Sequence, residues 1–483
     1  MKNADKKRII GILTISALLI GGMTVFSCAG SAKSADAPFA SSYDVVVIGA
    51  GGAGLSAAVS AKEAGANVAV FEKMGIPGGN TVRASSGINA TGTSYQKAAG
   101  VEDSVDLFYS DTMKGGYNKN DPALVRNLAE KSASSVDWLV SMGADLSGVV
   151  LMAGASVKRT HQPTGGVKVG PVIVGTLDKE VEKTLGIPVF YQTRVTSVIA
   201  RDGTVTGIEV TTADQKKYTI NAKAVVLASG GFGANNEMVA SLAPDLKGFA
   251  TTNHPGATGD GIGLAEKVGA ALVDMAEIQT HPTYAPGKEM IGEAVRGQGA
   301  ILVNKKGARF IDELATRDVV SAAILAQDGG TSYLVFDQSV RDSQKVIDDY
   351  EKLGIVIKGD SPDALAAAIG ADPATLAAAI TRYNQAVAAK SDAEFGRKNM
   401  ARSLSVAPYY AIEVLPAVHH TMGGVKIDVN AHVISGSGQS IPGFYAAGEV
   451  TGGVHGGNRL GGNALADIVT YGRIAGTNAA AGK

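Results

Sequence analysis

The stretch YDVVVIGAGGAGLSAAVSAKEAGANVAVFE, from Tyr43 to Glu72, decides the fold that the sequence predicts. Residues 43–48 form an apolar run typical of a buried strand, and residues 55–64 have the pattern of a helix. A second apolar run at residues 68–71 is typical of another strand. Strand, helix and strand in this order indicate a βαβ unit of a parallel sheet.

Four glycines stand between the first strand and the helix, and three of them have a recognisable spacing. Gly49, Gly51 and Gly54 form the pattern G-x-G-x-x-G around Ala53, and Glu72 closes the second strand. Such glycines permit a tight turn and leave room for a pyrophosphate at the helix amino terminus. An acidic residue about 20 positions further on accepts a ribose hydroxyl. The sequence therefore predicts a dinucleotide site, with a glycine-rich turn of an unrelated α/β sheet as the alternative.

A second glycine-rich region lies near the carboxyl terminus, where residues 419–425 read HHTMGGV and residues 446–465 read AAGEVTGGVHGGNRLGGNAL. Glycines let the backbone approach a large flat cofactor because they lack a Cβ atom. Adjacent histidines and an arginine between glycine pairs suit an anionic substrate. This region resembles the flavin and substrate signature of the soluble fumarate reductases, the flavocytochrome c flavoprotein family of the fumarate reductase/succinate dehydrogenase superfamily.

Further motifs follow the order of that family and imply FAD as the cofactor. They read PGGNT at 77–81 with SSG at 85–87, VVLASGGF at 225–232, and TGDG at 258–261. The resemblance implies FAD contacts from Asn80, Thr81, Ser86, Gly87, Val195, Gly230, Asp260, His420, Glu449, Ala464 and Leu465. Membrane-bound relatives have a histidine that bonds covalently to the flavin where this chain has Asn80. Because an amide is no such nucleophile, we expect non-covalent FAD.

The middle of the chain supplies the chemistry that the resemblance implies. It reads QTHPTY at 279–284, MIGEAVRGQGAILVN at 290–304 and RFIDELATRD at 309–318. By resemblance, Arg317 is the catalytic acid and a relay of Glu293 and Arg296 reloads its proton. The expected substrate-binding residues are His281 as a cation for one carboxylate, Met290 as a steric wedge, Gly292, His419 and Arg459. Flavin gives a hydride to one carbon of an activated C=C bond while Arg317 protonates its neighbour.

The resemblance therefore implies an exported FAD-dependent reductase of a small α,β-unsaturated carboxylate, such as fumarate, acrylate or methacrylate. Fumarate reductases of the family have threonine where this chain has Gly292. The threonine hydroxyl donates to the second carboxylate of fumarate, whereas glycine cannot and leaves a small void. We expect weaker fumarate reduction as a result and a shift toward a monocarboxylic enoate.

Two other functions remain open at this stage. One is an oxidase or dehydrogenase on the same scaffold, of the aspartate oxidase or ketosteroid dehydrogenase type. The other is a tethered flavoprotein that only carries electrons. Each site residue also has a structural alternative. Glu293 and Arg296 have the i, i+3 spacing of an exposed helix pair, and Arg317 beside Asp318 could form a surface ion pair.

The predicted fold class is α/β, with a Rossmann-like FAD-binding domain and an inserted α+β clamp domain. The FAD-binding domain is expected at residues 43–275 and 419–483, and the clamp, which also binds substrate, at 276–418. Within the clamp, Ser361-Pro362 and Asp372-Pro373 are typical helix starts, because a capping residue precedes proline at the first helical position. The net charge of −1 speaks against nucleic acid as a partner.

The amino terminus has the pattern of a targeting segment. Lys6, Lys7 and Arg8 precede an apolar run at residues 9–25, which is short for a membrane span. Cys28 then follows a small residue, as in a bacterial lipoprotein cleavage site. We expect a signal peptide at 1–28, lipidation of Cys28 and a flexible tether at 29–42, with an ordinary secretory cleavage as the alternative. An exported, periplasmic or membrane-anchored lipoprotein would contact the membrane through its lipid anchor only.

Cys28 is the only cysteine of the chain. No C-x-x-C-H motif for c-type haem is present, and no set of cysteines could hold an iron–sulfur cluster. We therefore expect neither haem nor iron–sulfur nor another metal in this chain. Electrons must then come from an external donor, such as a separate c-type cytochrome or a quinol-linked protein.

Overall fold

The computed structural model describes residues 38–482. From Ala40 onward these residues form one compact unit. The expected signal peptide, the lipidation site Cys28 and all but residues 38–42 of the expected tether lie outside the described residues. In the part of the chain that the structure describes, every helix is too short or too polar to cross a membrane.

Short strands and helices alternate along most of the chain. The strands are β1 (Ser42–Ile48), β2 (Val68–Phe71), β3 (Ile88–Asn89), β4 (Gly148–Val150), β5 (Thr160–Gln162), β6 (Val189–Phe190), β7 (Arg194–Arg201), β8 (Thr204–Thr211), β9 (Lys217–Leu227), β10 (Leu272–Val273), β11 (Ile278–Tyr284), β12 (Ile301–Val303), β13 (Ser332–Asp337), β14 (Ile357–Gly359), β15 (Tyr409–Thr421), β16 (Gly424–Lys426), β17 (His432–Ile434), β18 (Ser440–Ala446) and β19 (Thr451–Gly452). The helices are α1 (Gly52–Glu63), α2 (Ser94–Ala98), α3 (Val105–Gly115), α4 (Pro122–Ser141), α5 (Val169–Lys179), α6 (Asn236–Leu242), α7 (Asp260–Lys267), α8 (Glu293–Gly297), α9 (Arg317–Leu325), α10 (Gln338–Ser343), α11 (Ile347–Lys352), α12 (Pro362–Ile369), α13 (Pro373–Ala389) and α14 (Asn463–Ala481).

The predicted βαβ unit is confirmed and forms the centre of the largest sheet. This eight-stranded sheet has the order β17-β18-β9-β1-β2-β6, with β8 on β9 and β7 on β8. Strand β1 pairs in parallel with β2 and β9, and β18 pairs in parallel with β9. Parallel strands end at the same edge of a sheet, which is where ligands bind in α/β folds. Gly49, Glu72, Gly230 and Glu449 follow these four strand ends and therefore lie at one edge.

Residues 204–227 form a longer element than the sequence predicts. The sequence indicates a hairpin at 205–220 and a separate strand before the glycines at 230 and 231. The hairpin is confirmed, with Thr211 opposite Lys217. Strand β9, however, continues without a break from the hairpin into the core of the sheet, where Leu227 pairs with Ile48. One strand thus connects an exposed hairpin to the glycine turn at Gly230.

A second sheet has five strands, in the order β11-β15-β13-β12 with β14 also on β15. Strand β15 pairs with β13 and β14 over its first half and with β11 over its second half, and His419 and His420 lie near its end. The sheet lies in the expected clamp region. Because β15 crosses the expected boundary at residue 418, those domain limits stay a prediction.

Two clamp helices begin where the sequence predicts. Ser361 accepts a hydrogen bond from the backbone N–H of Ala364, and Asp372 accepts one from that of Thr375. Each side chain satisfies an amide at the start of a helix whose first residue is proline. Local sequence alone is sufficient here, because a cap needs only neighbours along the chain.

Glu313 is the buried centre of an ion cluster in the same region. Its carboxylate accepts hydrogen bonds from Arg309 (Nε, 2.9 Å; Nη2, 2.9 Å) and from Arg397 Nη1 at 2.9 Å. Arg309 also pairs with Asp392 at 3.0 Å. The side chains of Arg309, Glu313 and Arg397 are at most 1% exposed. Removal of the one shared carboxylate would leave guanidinium charges without compensation in a dry environment.

We therefore expect Glu313→Gln to destabilise the FAD-loaded protein by about 3–5 kcal/mol, the usual cost of breaking a buried ion pair. Glu394→Gln is the matched control, because the pair of Glu394 with Arg382 is about half exposed and is worth at most about 1 kcal/mol. Thermal unfolding midpoints of the two variants and the wild type provide the comparison. Equal midpoints for Glu313→Gln and Glu394→Gln would contradict the structural role of Glu313.

Candidate active site

One cavity of about 120 Å³ brings together residues that are distant in the sequence. Its wall includes the loop that follows β2, the end of β15 and the first turns of α9 and α14. The expected site residues in this wall are Asn80, Thr81, Ser86, Gly87, His281, Met290, Arg317, His419, His420, Glu449, Arg459, Ala464 and Leu465. Many of the flavin and substrate residues implied by the resemblance therefore share one cavity, whereas Gly292, Val195, Gly230 and Asp260 do not line it.

His281 and His419 lie on the neighbouring strands β11 and β15, with their rings edge to face and their centroids 5.0 Å apart. Burial and the charge of Arg317 hold the pKa of both histidines well below its usual value. Both shifts favour the neutral rings in the described structure. The expectation that His281 supplies a cation for a substrate carboxylate stays a prediction, because a carboxylate bound beside the ring would favour its protonated form.

Two buried guanidinium groups share one acceptor at the cavity floor. Arg317 Nη1 and Arg459 Nη2 donate to the same Gln279 oxygen, at 3.1 and 3.0 Å. Burial and the charge of Arg317 lower the pKa of Arg459 to about 9. An anionic ligand would relieve this mutual repulsion. The sequence prediction missed Gln279, although side chains two apart on a strand, such as Gln279 and His281, lie on the same face.

Glu293 connects Arg317 to the protein interior. Its Oε2 accepts from Arg317 Nε at 3.1 Å, and its Oε1 accepts from the Ala153 backbone N–H at 3.0 Å. Burial alone would raise the pKa of Glu293, but the charges of Arg317 and Arg296 outweigh it and lower the pKa. The carboxylate is therefore ionised. Glu293 and Arg317 are 2% and 7% exposed, so the alternatives of an exposed helix pair and a surface ion pair are wrong.

Arg296 is hydrogen-bonded to Glu313 and not to Glu293 in the described structure, and its expected part in the proton relay stays a prediction. Its side chain is fully buried, and Nη1 donates to the backbone carbonyl of Glu313 at 2.6 Å. Within the described residues, its Nε and Nη2 atoms have no hydrogen-bond partner. The structure thus joins Glu293 to Arg317 by a hydrogen bond but shows no such bond from Glu293 to Arg296.

Gly292 does not leave the void that the sequence suggests. A Cβ atom at this position would lie 2.7 Å from the Ser85 hydroxyl oxygen and 3.2 Å from the Ser85 Cβ. Ser85 belongs to the wall of the cavity, and the Gly292 N–H donates to the Tyr350 hydroxyl at 3.2 Å. The space beside Gly292 is therefore filled by a side chain from a loop about 200 residues earlier, which no local pattern indicates.

The edge of the large sheet provides a second cavity, of about 80 Å³, next to the first. Its wall contains Gly49, Gly51, Ala53, Glu72 and Gly230, and it shares Asn80, Thr81 and Glu449 with the first cavity. A third, of about 40 Å³, is lined by Gly49, Glu72, Val195 and Asp260. The expected dinucleotide residues are thus arranged as a continuation of the substrate cavity.

The glycine turn has the geometry that a pyrophosphate needs. A Cβ atom at Gly54 would lie 1.9 Å from the Gly49 carbonyl oxygen, so only glycine permits this close packing of helix on strand. At Gly51 the nearest atom to such a Cβ is 3.9 Å away, which leaves open space above the turn. Helix α1 begins there without a capping side chain. Its amino terminus therefore suits an anion.

Polar groups at the far end of this groove also fit a dinucleotide. Glu72 accepts from the backbone N–H groups of Ala50 and Met74, both at 2.8 Å, and these bonds hold its carboxylate beside the turn. Asp260 pairs with Lys73 at 3.0 Å and Arg194 at 2.6 Å. Those partners occupy Asp260 in the described structure, so its expected FAD contact stays a prediction.

Among the described residues, buried polar atoms without a partner include His420 Nε2 in the first cavity and Ser229 Oγ in the second and third. Helix α14 begins without a capping side chain, and Ala464 and Leu465 of its first turn line the first cavity with His420, so the positive end of its dipole faces that cavity. These features fit the polar rim of a flavin ring. The sequence prediction missed Ser229 as a contact, although it lies within the glycine motif at 225–232.

Asn80 is held firmly at the junction of the first two cavities. Its amide donates to Asn253 at 2.6 Å and to Glu449 at 2.9 Å, and its oxygen accepts from the His254 N–H at 2.7 Å. Asn253 and Thr252, whose hydroxyl lies 2.7 Å from His419 Nδ1, also line the cavity but were not predicted. Their segment has no glycine motif or charge that would have marked it.

Comparison with known proteins decides the family. The chain matches the FAD binding domain family over residues 44–465. It is 53% identical over 440 residues to a fumarate reductase (cytochrome) of Shewanella frigidimarina, covering 90% of this chain and 77% of that protein. The chain belongs to the fumarate reductase flavoprotein family. The resemblance stated from the motifs is thereby confirmed.

Two further proteins are similar to this chain, one compared by sequence and one by its solved structure. An NADH:acrylate oxidoreductase of Vibrio harveyi is 37% identical over 511 residues, which cover 90% of this chain and 50% of that protein. A solved structure of the open conformation of a flavocytochrome c3 fumarate reductase has a TM-score of 0.77 at 46% identity, covering 91% of this chain and 78% of that one. The predicted fold class is confirmed. The chain is a flavin-dependent oxidoreductase acting on CH–CH bonds, with FAD as its cofactor.

We expect purified protein to be yellow and to release all of its FAD on acid or heat denaturation, because the amide of Asn80 cannot form the histidyl bond. The distribution of flavin between polypeptide and solution is measured by the fluorescence of the denatured chain on a gel and of the supernatant. Flavin that stays with the denatured polypeptide would show the non-covalent assignment to be wrong.

Proposed function

We propose that this protein reduces the C=C bond of a small α,β-unsaturated carboxylate, with Arg317 as the proton donor. The observation that carries the proposal is the position of Arg317. Its guanidinium lines the cavity, shares the Gln279 oxygen with Arg459 and is bonded to the buried carboxylate of Glu293. A proton donor, an anion-binding group and a proton source thus meet beside the expected flavin ring.

Arg459 is the main binding group for the substrate carboxylate in this proposal. It is buried, its pKa is lowered, and its Nε atom has no hydrogen-bond partner among the described residues. A carboxylate would supply the missing acceptor and the missing negative charge together. His419 and His281 add ring nitrogens on the same side of the cavity. Charge withdrawn from the carboxylate would stabilise the carbanion-like transition state.

The reaction balances with one hydride and one proton. FAD held by the glycine turn at Gly49–Gly54 and by the residues around Glu449 would, in its reduced form, provide the hydride for the carbon β to the carboxylate. Arg317 supplies the proton to the α carbon, the C=C π bond is lost, and a saturated carboxylate results. Arg317 then recovers a proton through Glu293. An arginine suits this role because its guanidinium offers several N–H groups, so that one can face the substrate while another is bonded to Glu293.

The wall formed by Met290 and Ser85, with Gly292 packed against Ser85, supports a substrate with a small or neutral group at its far end. This wall offers the hydroxyl of Ser85, the Gly292 N–H is already bonded to Tyr350, and burial disfavours a charged His281 beside it. A second carboxylate of the substrate would thus gain less binding free energy at this wall than the first carboxylate gains at Arg459. Acrylate or methacrylate is therefore proposed as the preferred class, with fumarate as the alternative dicarboxylic substrate.

Electrons are proposed to come from a separate protein, such as a c-type cytochrome or a quinol-linked donor, since the chain has one cysteine and no haem-binding motif. The charged, apolar and cysteine-containing start of the sequence supports export and attachment through a lipid on Cys28. If Cys28 carries the lipid, Cys28→Ser should abolish the membrane association of the exported protein.

The direct test is anaerobic turnover with reduced methyl viologen and a panel of fumarate, acrylate, methacrylate and crotonate. Oxidation of the dye with formation of the matching saturated acid supports the proposal. A wild type that keeps its FAD but reduces none of the panel would contradict it. Rapid reoxidation by oxygen with no enoate reduction would favour an oxidase instead.

Arg317→Ala is expected to lower turnover by at least about 10²-fold, the low end for a positioned general acid. FAD content and reduction of the flavin by dithionite should not change, because Arg317 donates to the substrate. Arg382→Ala, at a half-exposed arginine, is the matched control and should keep full turnover. Activity near that of the wild type in Arg317→Ala would exclude this residue as the acid.

Gly292→Thr alone is expected to lower turnover on every enoate, because its Cβ would meet the Ser85 hydroxyl at 2.7 Å. Combining it with Ser85→Gly removes that collision and adds a donor for a second carboxylate. The ratio of kcat/KM for fumarate to that for acrylate should then rise about tenfold or more, as expected for a hydrogen bond to a charged group. Ser85→Gly by itself is the control. A wild type that reduces fumarate far better than any monocarboxylic enoate would refute the preference.

A further inference from the structure

A buried histidine–aspartate pair lies next to the cavity that is expected to hold the flavin ring, and the proposed reaction does not use it. His455 Nε2 lies 3.2 Å from Asp467 Oδ2, and the two residues are 3% and 1% exposed. His455 belongs to the glycine-rich segment 446–465, whereas Asp467 is part of helix α14. The pair therefore joins the loop that carries Arg459 to the helix whose amino terminus faces the cavity.

His455 connects this pair to the cavity wall. Its ring is edge to face with the ring of His420, with 5.1 Å between the two centroids. His420 lines the cavity, and its Nε2 atom has no hydrogen-bond partner among the described residues. Its other ring nitrogen, Nδ1, lies 3.5 Å from Glu449 Oε1. His455 and Glu449 together therefore orient the nitrogen of His420 that is left for a ligand.

The carboxylate of Asp467 has few partners. Among the described residues, His455 is the one side chain that forms an ion pair with it, and its Oδ1 accepts no hydrogen bond. The Nδ1 atom of His455 also has no partner in this part of the chain, so a second ring proton would have no acceptor in a dry environment. These contacts suit a neutral ring that donates from Nε2 to a carboxylate that keeps its charge.

The charge of Asp467 acts on the cavity. Leu465 and Ile468, its neighbours in the same turns of α14, line the cavity wall. Burial and the charge of Arg317 lower the pKa of Arg459, and Asp467 is among the carboxylates that counteract this shift. A carboxylate that acts on Arg459 also acts on a cofactor beside that arginine, because buried charges are screened much less than exposed ones.

This negative charge opposes the other charges around the flavin site. The guanidinium groups of Arg317 and Arg459 and the positive end of α14 suit an anionic substrate, but they also favour a reduced and more negative flavin. A nearby carboxylate disfavours that form, because like charges repel each other. It thereby lowers the reduction potential and makes the reduced cofactor a stronger hydride donor.

We propose that the His455–Asp467 pair tunes the bound FAD, because the Asp467 carboxylate lowers its reduction potential and His455 holds His420 in place at the cofactor. Both are positioning residues, since neither lines the cavities described above. The carboxylate acts through its charge, and His455 acts through His420. The inference needs FAD as the cofactor but does not depend on which substrate is reduced.

Asp467→Asn removes the charge and keeps an oxygen that can accept from His455. Asp467→Ser is a second charge-free variant, with a smaller side chain that fits the same space. Each should raise the midpoint potential of bound FAD by about 30 mV, which is a tenfold change in the ratio of reduced to oxidised form for a two-electron couple. The potential is measured anaerobically on the FAD-loaded protein by equilibration with a reference dye.

Asp428→Asn is the matched control, because it removes one charge from another histidine–aspartate pair. Asp428 Oδ2 lies 2.9 Å from His432 Nδ1, and neither residue lines these cavities. This variant should keep the midpoint potential of the wild type.

His455→Gln tests the contact with His420. The new amide can still donate to Asp467, but the ring against His420 is lost. We expect the absorbance spectrum of bound FAD to shift, while the midpoint potential changes by less than in Asp467→Asn because the charge remains. An unchanged spectrum would overturn the positioning of His420 by His455.

Wild-type potentials in both Asp467 variants, with FAD retained, would overturn the electrostatic role. Loss of FAD from one variant leaves the decision to the other, and loss from both would overturn tuning and assign the pair to cofactor retention instead. A wild type that reduces no enoate contradicts the proposed function but not this inference, because the potential is measured without substrate. The two failures are therefore distinguishable.

Discussion

The site depends on positive charge held out of water. Arg317, Arg459 and Arg296 are all at most 7% exposed, and isolated guanidinium groups in such an environment are costly. Hydrogen bonds from Arg317 to the Glu293 carboxylate, and from Arg317 and Arg459 to the Gln279 oxygen, compensate part of this charge. In the proposed function an anionic substrate supplies further negative charge. Substrate binding and the proposed proton-donor position would then have the same electrostatic origin.

This charge cluster requires two rigid supports that meet at the cavity. One is the edge of the parallel sheet, where four strand ends place the glycine turn and the acidic residues at one level. The other is the five-stranded sheet, in which β15 carries His419 and His420 out of a buried core. The Glu313 cluster is joined to helix α8, because Arg296 donates to the Glu313 carbonyl and its own carbonyl accepts from Arg397. These backbone carbonyls link the ion cluster to the buried charges of the site.

Histidines next to such a cluster are shifted toward the neutral ring. Burial and the neighbouring guanidinium groups hold the pKa of His281, His419 and His420 well below its usual value. A motif with two adjacent histidines indicates where ligands bind, but the charge of the rings is set by residues from other elements.

The sequence by itself determined the βαβ unit, the glycine turn from Gly49 to Gly54 and the capped starts of α12 and α13. These features depend on neighbours along the chain, so local spacing is enough to predict them. The family motifs also indicated many of the residues that line the substrate cavity. Only the tertiary structure decided that Ser85 fills the space at Gly292, that Gln279 joins Arg317 to Arg459, and that Arg296 faces Glu313. Such contacts join distant segments, and packing and electrostatics across them leave no periodic signal in the sequence.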